Sequence, residues 1–152
     1  MSPTFPCRTL ALASLAGLLA VAPLGAQEPS AAGRWKTVDD RTNQVKSIVL
    51  IEEANGELRG KVERICAPPA KEANPLCEKC PGDLRNKPVI GMQIMWGLKK
   101  SGNEYTGGRV MDPEDGKIYR CKLRLVDGGK KLELRGYIGF SLLGRTQTWI
   151  RD

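Results

Sequence analysis

Histidine does not occur anywhere in this 152-residue chain. Its absence removes histidine general bases, histidine-dependent triads and imidazole metal ligands together. Aromatic residues are scarce as well, at 5% of the sequence, with three tryptophans, three tyrosines and two phenylalanines. Any interior therefore has few bulky fillers. Beyond residue 26 there is no apolar run long enough to cross a membrane as a helix, and none with a convincing helical period. The acidic turns lack calcium-loop spacing, because the positions that would have to carry oxygen ahead of Gly116 are Met111, Pro113 and Asp115. Ser141 and the threonines have no histidine or lysine arrangement that would mark a nucleophile. These absences argue against an enzyme, a cofactor and a metal site.

One apolar run is present, Leu10 to Ala22, about thirteen residues and short for a bilayer span. Arg8 precedes it and the small-residue exit Pro23-Leu24-Gly25-Ala26 follows. Residues 1–26 read as a secretory signal peptide cleaved after Ala26. Cys7 lies ahead of the run, where it cannot be a lipoprotein cysteine. The expected mature protein is periplasmic, with a flexible lead-in over residues 27–32 and one β-barrel domain over residues 33–152. The chain carries a net charge of +7, with lysines and arginines dispersed rather than clustered. That describes a solvated basic surface, with peripheral contact to anionic envelope lipids as the sharper option. Nucleic acid is not an expected partner of an exported chain.

After residue 32 the sequence alternates strand and turn. Eight strands are expected, over 33–38, 45–53, 57–66, 89–100, 104–111, 117–126, 131–138 and 145–151. Asn55-Gly56 is a strong hairpin signal, and Gly60 marks a bend or bulge. Asp112-Pro113-Glu114-Asp115-Gly116 places proline early and glycine late in a turn. Short helical turns fit near 83–86 and 140–143. The rhythm breaks only at residues 67–88, a long proline-rich connection bearing Cys77-Glu78-Lys79-Cys80. Eight short strands with regular turn signals mean an all-β sandwich or barrel. Gly33-Arg34-Trp35 at one end and Trp149-Ile150-Arg151 at the other suggest strands that meet and remove the sheet's edges.

Four cysteines follow the leader: Cys66, Cys77, Cys80 and Cys121. An even number in an exported chain reads as disulfides, with three connectivities open. The preferred set is Cys77–Cys80 with Cys66–Cys121, which would contribute roughly 2 and roughly 4 kcal/mol on the loop-entropy model. A redox role for the Cys-x-x-Cys pair lacks the helix that lowers a cysteine pKa, because Pro81-Gly82 follows at once. A zinc site lacks its second cysteine pair.

Several segments are familiar. GRWKTVDD, RNKPVIGMQIMWGLKK, GGRVMDPEDGKIYRCKL and RGYIGFSLLGRTQTW together resemble the bacterial domain-of-unknown-function family numbered twenty-one forty-seven, from about Gly33 to Arg151. The resemblance implies an exported protein with a lipocalin-like fold, here a single antiparallel eight-stranded up-and-down barrel with little helix, able to bind small hydrophobic molecules. Gly33-x-Trp35 also resembles the opening motif of lipocalins, in which the tryptophan packs at the closed end under a basic residue of the last strand. Arg151 is placed for that role and Arg145 is the alternative, so Trp35, Arg145 and Arg151 are assigned to structural closure. The expected ligand pocket comprises Met92, Ile94, Trp96, Tyr119, Leu123 and Leu134. The expected function is non-enzymatic binding of a small hydrophobic or amphipathic ligand. The alternative is an envelope interaction protein with a filled barrel, docking a partner through its basic face or cysteine loop.

Overall fold

The computed structural model describes Gly25, residues 28–66 and residues 73–152. The signal-peptide reading falls almost wholly outside the described residues. Eight strands occur: β1 Gly33–Val38, β2 Val45–Ala54, β3 Glu57–Ile65, β4 Gln93–Ser101, β5 Glu104–Met111, β6 Ile118–Val126, β7 Lys131–Tyr137 and β8 Arg145–Arg151. Each pairs antiparallel with its chain neighbours, and β1 pairs β8, closing the barrel. Single-turn 3-10 segments sit at Gly82–Leu84, Asp127–Gly129 and Ser141–Leu143.

The largest departure from the sequence reading is the start of β4. Val89–Met92 was expected to be strand, yet Gly91 takes a φ of 87° and the chain turns there, with Met92 N–H donating to Val89 O at 3.1 Å. Two irregularities follow. Lys61 pairs with Gln93 and Gly60 with Met95, leaving Ile94 without its own partner. Ile94 and Met95 are consequently both buried, as expected when a bulge doubles one side of a ladder. Gly60 is what admits Met95, since a Cβ there would lie 3.1 Å from Met95 Cβ.

The short hairpin turns at 55–56, 102–103 and 127–130 all lie at one end, and the longer connections 39–44, 112–117 and 138–144, with the described part of the β3–β4 connection at 73–92, at the other. The short-turn half is solid. Trp35, Leu58, Leu98 and Leu132 are fully buried there, with Ile51 and Leu123 beside them. Each such side chain contributes about 1.5–3 kcal/mol by leaving water. Residues 28–32 of the lead-in, expected to be flexible, are docked against this end. Ala31 is fully buried, its carbonyl accepts Trp35 Nε1–H at 2.9 Å, and Pro29 packs against Gly129.

Cys77 and Cys80 form a disulfide, whereas Cys66 and Cys121 are free. The expected Cys66–Cys121 bridge fails on topology. Cys66 follows β3 and Cys121 sits on β6, and these strands are not neighbours in the barrel. Cys121 instead lies inward between Gly108 and Gly136, its partners in register on β5 and β7. Burial pushes its thiol pKa up to about 12. We predict that iodoacetamide modifies Cys66 in the native protein and leaves Cys121 untouched until denaturant is added. Peptide mapping that shows native labelling of Cys121 would contradict this burial.

Candidate functional site

The long-loop end of the barrel holds a cavity of about 820 Å³. Its wall is apolar, formed by Val62, Ile65, Ile94, Val110, Leu134 and Trp149. The strands place these side chains by alternation. On β8, for example, Arg145, Gln147 and Trp149 share the inward parity, and Trp149 Nε1–H reaches Gln147 Oε1 at 3.4 Å. The rim is polar and largely self-satisfied. Arg145 forms an ion pair with Asp40, with Nε donating to Oδ2 at 2.9 Å. That pairing raises the guanidinium pKa and holds the Asp40 carboxyl below the usual carboxylate range. Lys46 pairs with Glu114, and Tyr119 donates its phenol to Asp115 Oδ2 at 2.9 Å. Burial, then Asp115, raises the Tyr119 pKa, keeping it a donor.

The cysteine loop forms one side of the cavity through Pro75, Leu76, Glu78 and Lys79. A narrow ladder holds the loop together, with Cys77 N–H on Lys87 O at 2.8 Å and Asn86 N–H on Cys77 O at 2.9 Å. The disulfide anchors it to the barrel. Cys80 Sγ lies 3.7 Å from Met111 Sδ and 3.9 Å from Met92 Sδ, and Cys77 Sγ lies 3.3 Å from the Pro113 carbonyl. The 112–117 turn closes against the loop at Gly116, whose missing side chain leaves room for Lys79 O.

Of the six residues expected in the pocket, Ile94, Tyr119 and Leu134 line the cavity. Met92 does not, being packed under the disulfide. Trp96 does not, because the β4 irregularities place it opposite the exposed Arg109, half-buried and away from the cavity. Leu123 lies deeper in the solid half, opposite Tyr105 and Leu134. Trp149, Val62 and Val110 were missed. Alternation in RTQTWI was the available signal for Trp149. Ile65 lines the cavity beyond a register shift in the β2–β3 ladder, and Asp112 and the cysteine loop depend on loop packing; no periodicity encodes either.

At the closed end, the Arg151 guanidinium stacks on Trp35 at 4.2 Å from the ring centroid. It also donates to the carbonyls of Gly129, Ala32 and Ser30 at 2.7, 3.2 and 2.8 Å. Trp35 and Arg151 thus occupy the expected closure. Arg145 does not join them, because it begins β8 at the opposite end, beside the cavity.

Asp112 is a rim acid without an ion-pair partner among the described residues. Burial, partly offset by a hydrogen bond from Glu114 N–H at 2.9 Å, raises its pKa. A raised native pKa means the folded state holds this proton more tightly than the unfolded chain. Stability contributed by the protonated form is therefore lost as pH rises from the usual carboxylate range through the native pKa. We predict that Asp112→Asn, which keeps the acceptor oxygen, is more stable than wild type at pH 7 and gains nothing below about pH 3. Urea midpoints of both proteins across pH check this, and a gain that persists undiminished in acid would refute it.

A closed up-and-down barrel, capped at one end by a tryptophan–arginine stack and open at the other over an apolar cavity, defines a lipocalin-like protein. The chain belongs to the bacterial family described as "Uncharacterized protein conserved in bacteria (DUF2147)", whose model matches residues 33–151. Among solved structures it is similar to protein HP1028 from the human pathogen Helicobacter pylori, described as belonging to the lipocalin family. That likeness has a TM-score of 0.69 at 24% identity, over 81% of this chain and 83% of the other. It is a likeness of fold. No curated protein matches the sequence.

Proposed function

We propose that the barrel binds one small hydrophobic or amphipathic molecule at its open end and performs no chemistry on it. The observation that carries this reading is the cavity of about 820 Å³ with an apolar wall and a polar rim, within the range of small-molecule sites. The amphipathic character of the site argues for a ligand with an apolar body and a polar head. The apolar part packs on Val62, Ile94, Leu134 and Trp149, and the head meets Tyr119, Asp112 and Arg145. The leader-like residues 1–26 support a periplasmic location, and the Cys77–Cys80 disulfide suits that compartment.

Trp149 lines the cavity and Trp96 does not, so Trp149 is the reporter of occupancy. A fluorescent long-chain fatty acid, titrated into protein stripped of co-purified lipid, should change Trp149 emission. Val110→Trp fills the cavity from a partly buried position and is expected to weaken binding at least tenfold, about 1.4 kcal/mol. Trp96→Phe is expected to leave the titration unchanged. Equal affinity of wild type and Val110→Trp would mean the cavity is not the binding site.

A further inference from the structure

Six of the seven large apolar side chains that are exposed among the described residues lie at the open end: Leu76, Ile118, Ile138, Phe140, Leu142 and Leu143. Four of them crowd the β7–β8 connection, where Ile138, Phe140, Leu142 and Leu143 are 68, 79, 89 and 82% exposed. A monomeric soluble surface rarely gathers such residues without a partner. The loop is not slack. Arg135 Nε donates to Ser141 O at 2.6 Å, Nη2 to Leu142 O at 3.1 Å and Nη1 to Thr146 Oγ1 at 2.9 Å. Leu143 N–H closes a turn onto Phe140 O at 3.1 Å. Gly144 seats the loop on β7 so closely that a Cβ would lie 2.5 Å from Gly136 O. Phe140 and Leu142 are thus held outward by a turn in which the carbonyls of Phe140, Ser141 and Leu142 already have donors, which lowers the cost of placing them in an apolar medium.

What lies behind the apolar tip identifies the partner. Tyr137 comes first, at the end of β7, with Arg120 opposite it in register. Arg135 follows two residues further in, opposite Lys122, about 7 Å from Tyr137 at the usual strand rise. Lys122 is paired with Glu104, but among the described residues the guanidinium of Arg135 donates only to uncharged oxygens. Apolar tip, then tyrosine, then arginine is the order of environments across a bilayer surface: acyl boundary, interface, head groups. The net positive charge of the chain complements anionic head groups.

We infer that the β7–β8 loop docks the open end of the barrel onto a lipid bilayer bearing anionic head groups, with Phe140, Leu142 and Leu143 inserted and Arg120 and Arg135 at head-group level. Ile138 and Leu143 also line the cavity, so docking sets the mouth against the lipid. This last point rests on the proposed binding function; the docking itself does not.

The test is co-sedimentation of protein purified from a bacterial periplasm with vesicles of phosphatidylcholine alone or mixed with phosphatidylglycerol. Wild type should partition onto the mixed vesicles. Phe140→Ser/Leu142→Ser should lower partitioning at least tenfold, and the single variants should fall between. These side chains are almost entirely exposed, so thermal midpoints should hold within a few degrees. Arg120→Gln should weaken binding to the mixed vesicles alone, as added salt should. Fatty-acid binding by the double variant should be unchanged, which separates failure of docking from failure of the cavity. Absence of wild-type partitioning, or equal partitioning of the double variant, overturns the inference. So does a wild-type dimer that the double variant dissolves, because the face would then be occupied by a second copy.

Discussion

Alanine at Gly116 is expected to lower the thermal midpoint by on the order of 10 °C and to loosen the cysteine loop from the barrel mouth. Two costs coincide at this residue. Its φ is 71°, a left-handed conformation that costs a side chain roughly 1–2 kcal/mol. Its Cβ would also meet Lys79 O at 1.8 Å and Lys79 C at 2.4 Å. Those atoms are backbone between two bridged cysteines, so relief requires moving the loop rather than rotating a side chain. The combined loss should reach about 3 kcal/mol or more. Gly107→Ala is the control, with a φ of 77° and nothing within 4 Å of the added Cβ. It carries the conformational cost alone. Since Glu78 and Lys79 line the cavity, Gly116→Ala should also weaken fatty-acid binding and speed proteolysis between 73 and 88. Equal midpoints for the two variants would show that the loop contact contributes nothing.

Trp35→Ala should be the most destabilising single substitution, by about 3–5 kcal/mol, against the 5–15 kcal/mol typical of a whole domain. Trp35 is fully buried, and its removal leaves both a cavity and an unpaired Ala31 carbonyl. Arg151 is bound to the same event. Lysine at 151 keeps the charge but cannot reproduce a guanidinium that meets three carbonyls and stacks on the indole. Arg151→Lys should cost about 2 kcal/mol, and Trp35→Phe a similar amount. Urea denaturation of the double variant should show the two losses to be non-additive by more than about 0.5 kcal/mol. Additive losses would mean that the stack seen at 4.2 Å carries no energy of its own.

How far the sequence reached depends on which force places each residue. Strands β1, β5 and β8 fall where alternation and turn residues put them, because short-range sterics and one buried face suffice to define them. The start of β4 does not. Gly91 reads as an ordinary strand residue until the left-handed turn it adopts is seen, and that turn moves Met92 from the pocket to the disulfide. Trp96 fails for a related reason, since it lies between two insertions in one ladder, the first reversing which side chains face inward and the second restoring it, and local sequence carries no count of its partner strand. The Cys66–Cys121 pairing failed because cysteine number says nothing about which strands are neighbours. Trp35 and Arg151 were legible through the lipocalin opening motif that Gly33-x-Trp35 resembles, and the residues at the two chain ends pointed to strands that meet. The wall formed by the cysteine loop was not legible, since it rests on Gly116 and Lys79, which are far apart in the chain.

Every strand pairing in this barrel joins chain neighbours except one. Six of the seven neighbour pairings close only a short loop and can form early and locally, while β3 with β4 must span the long cysteine-bearing connection. The pairing of β1 with β8 must instead bring together ends 119 residues apart, as Arg151 and Ala32 are, and it does so over the shortest register of all, Trp35 with Arg151 and Lys36 with Ile150. The ring is therefore expected to close last and to open first. The tryptophan–arginine stack acts as the clasp, so an open sheet with two bare edges is the species that precedes the native state.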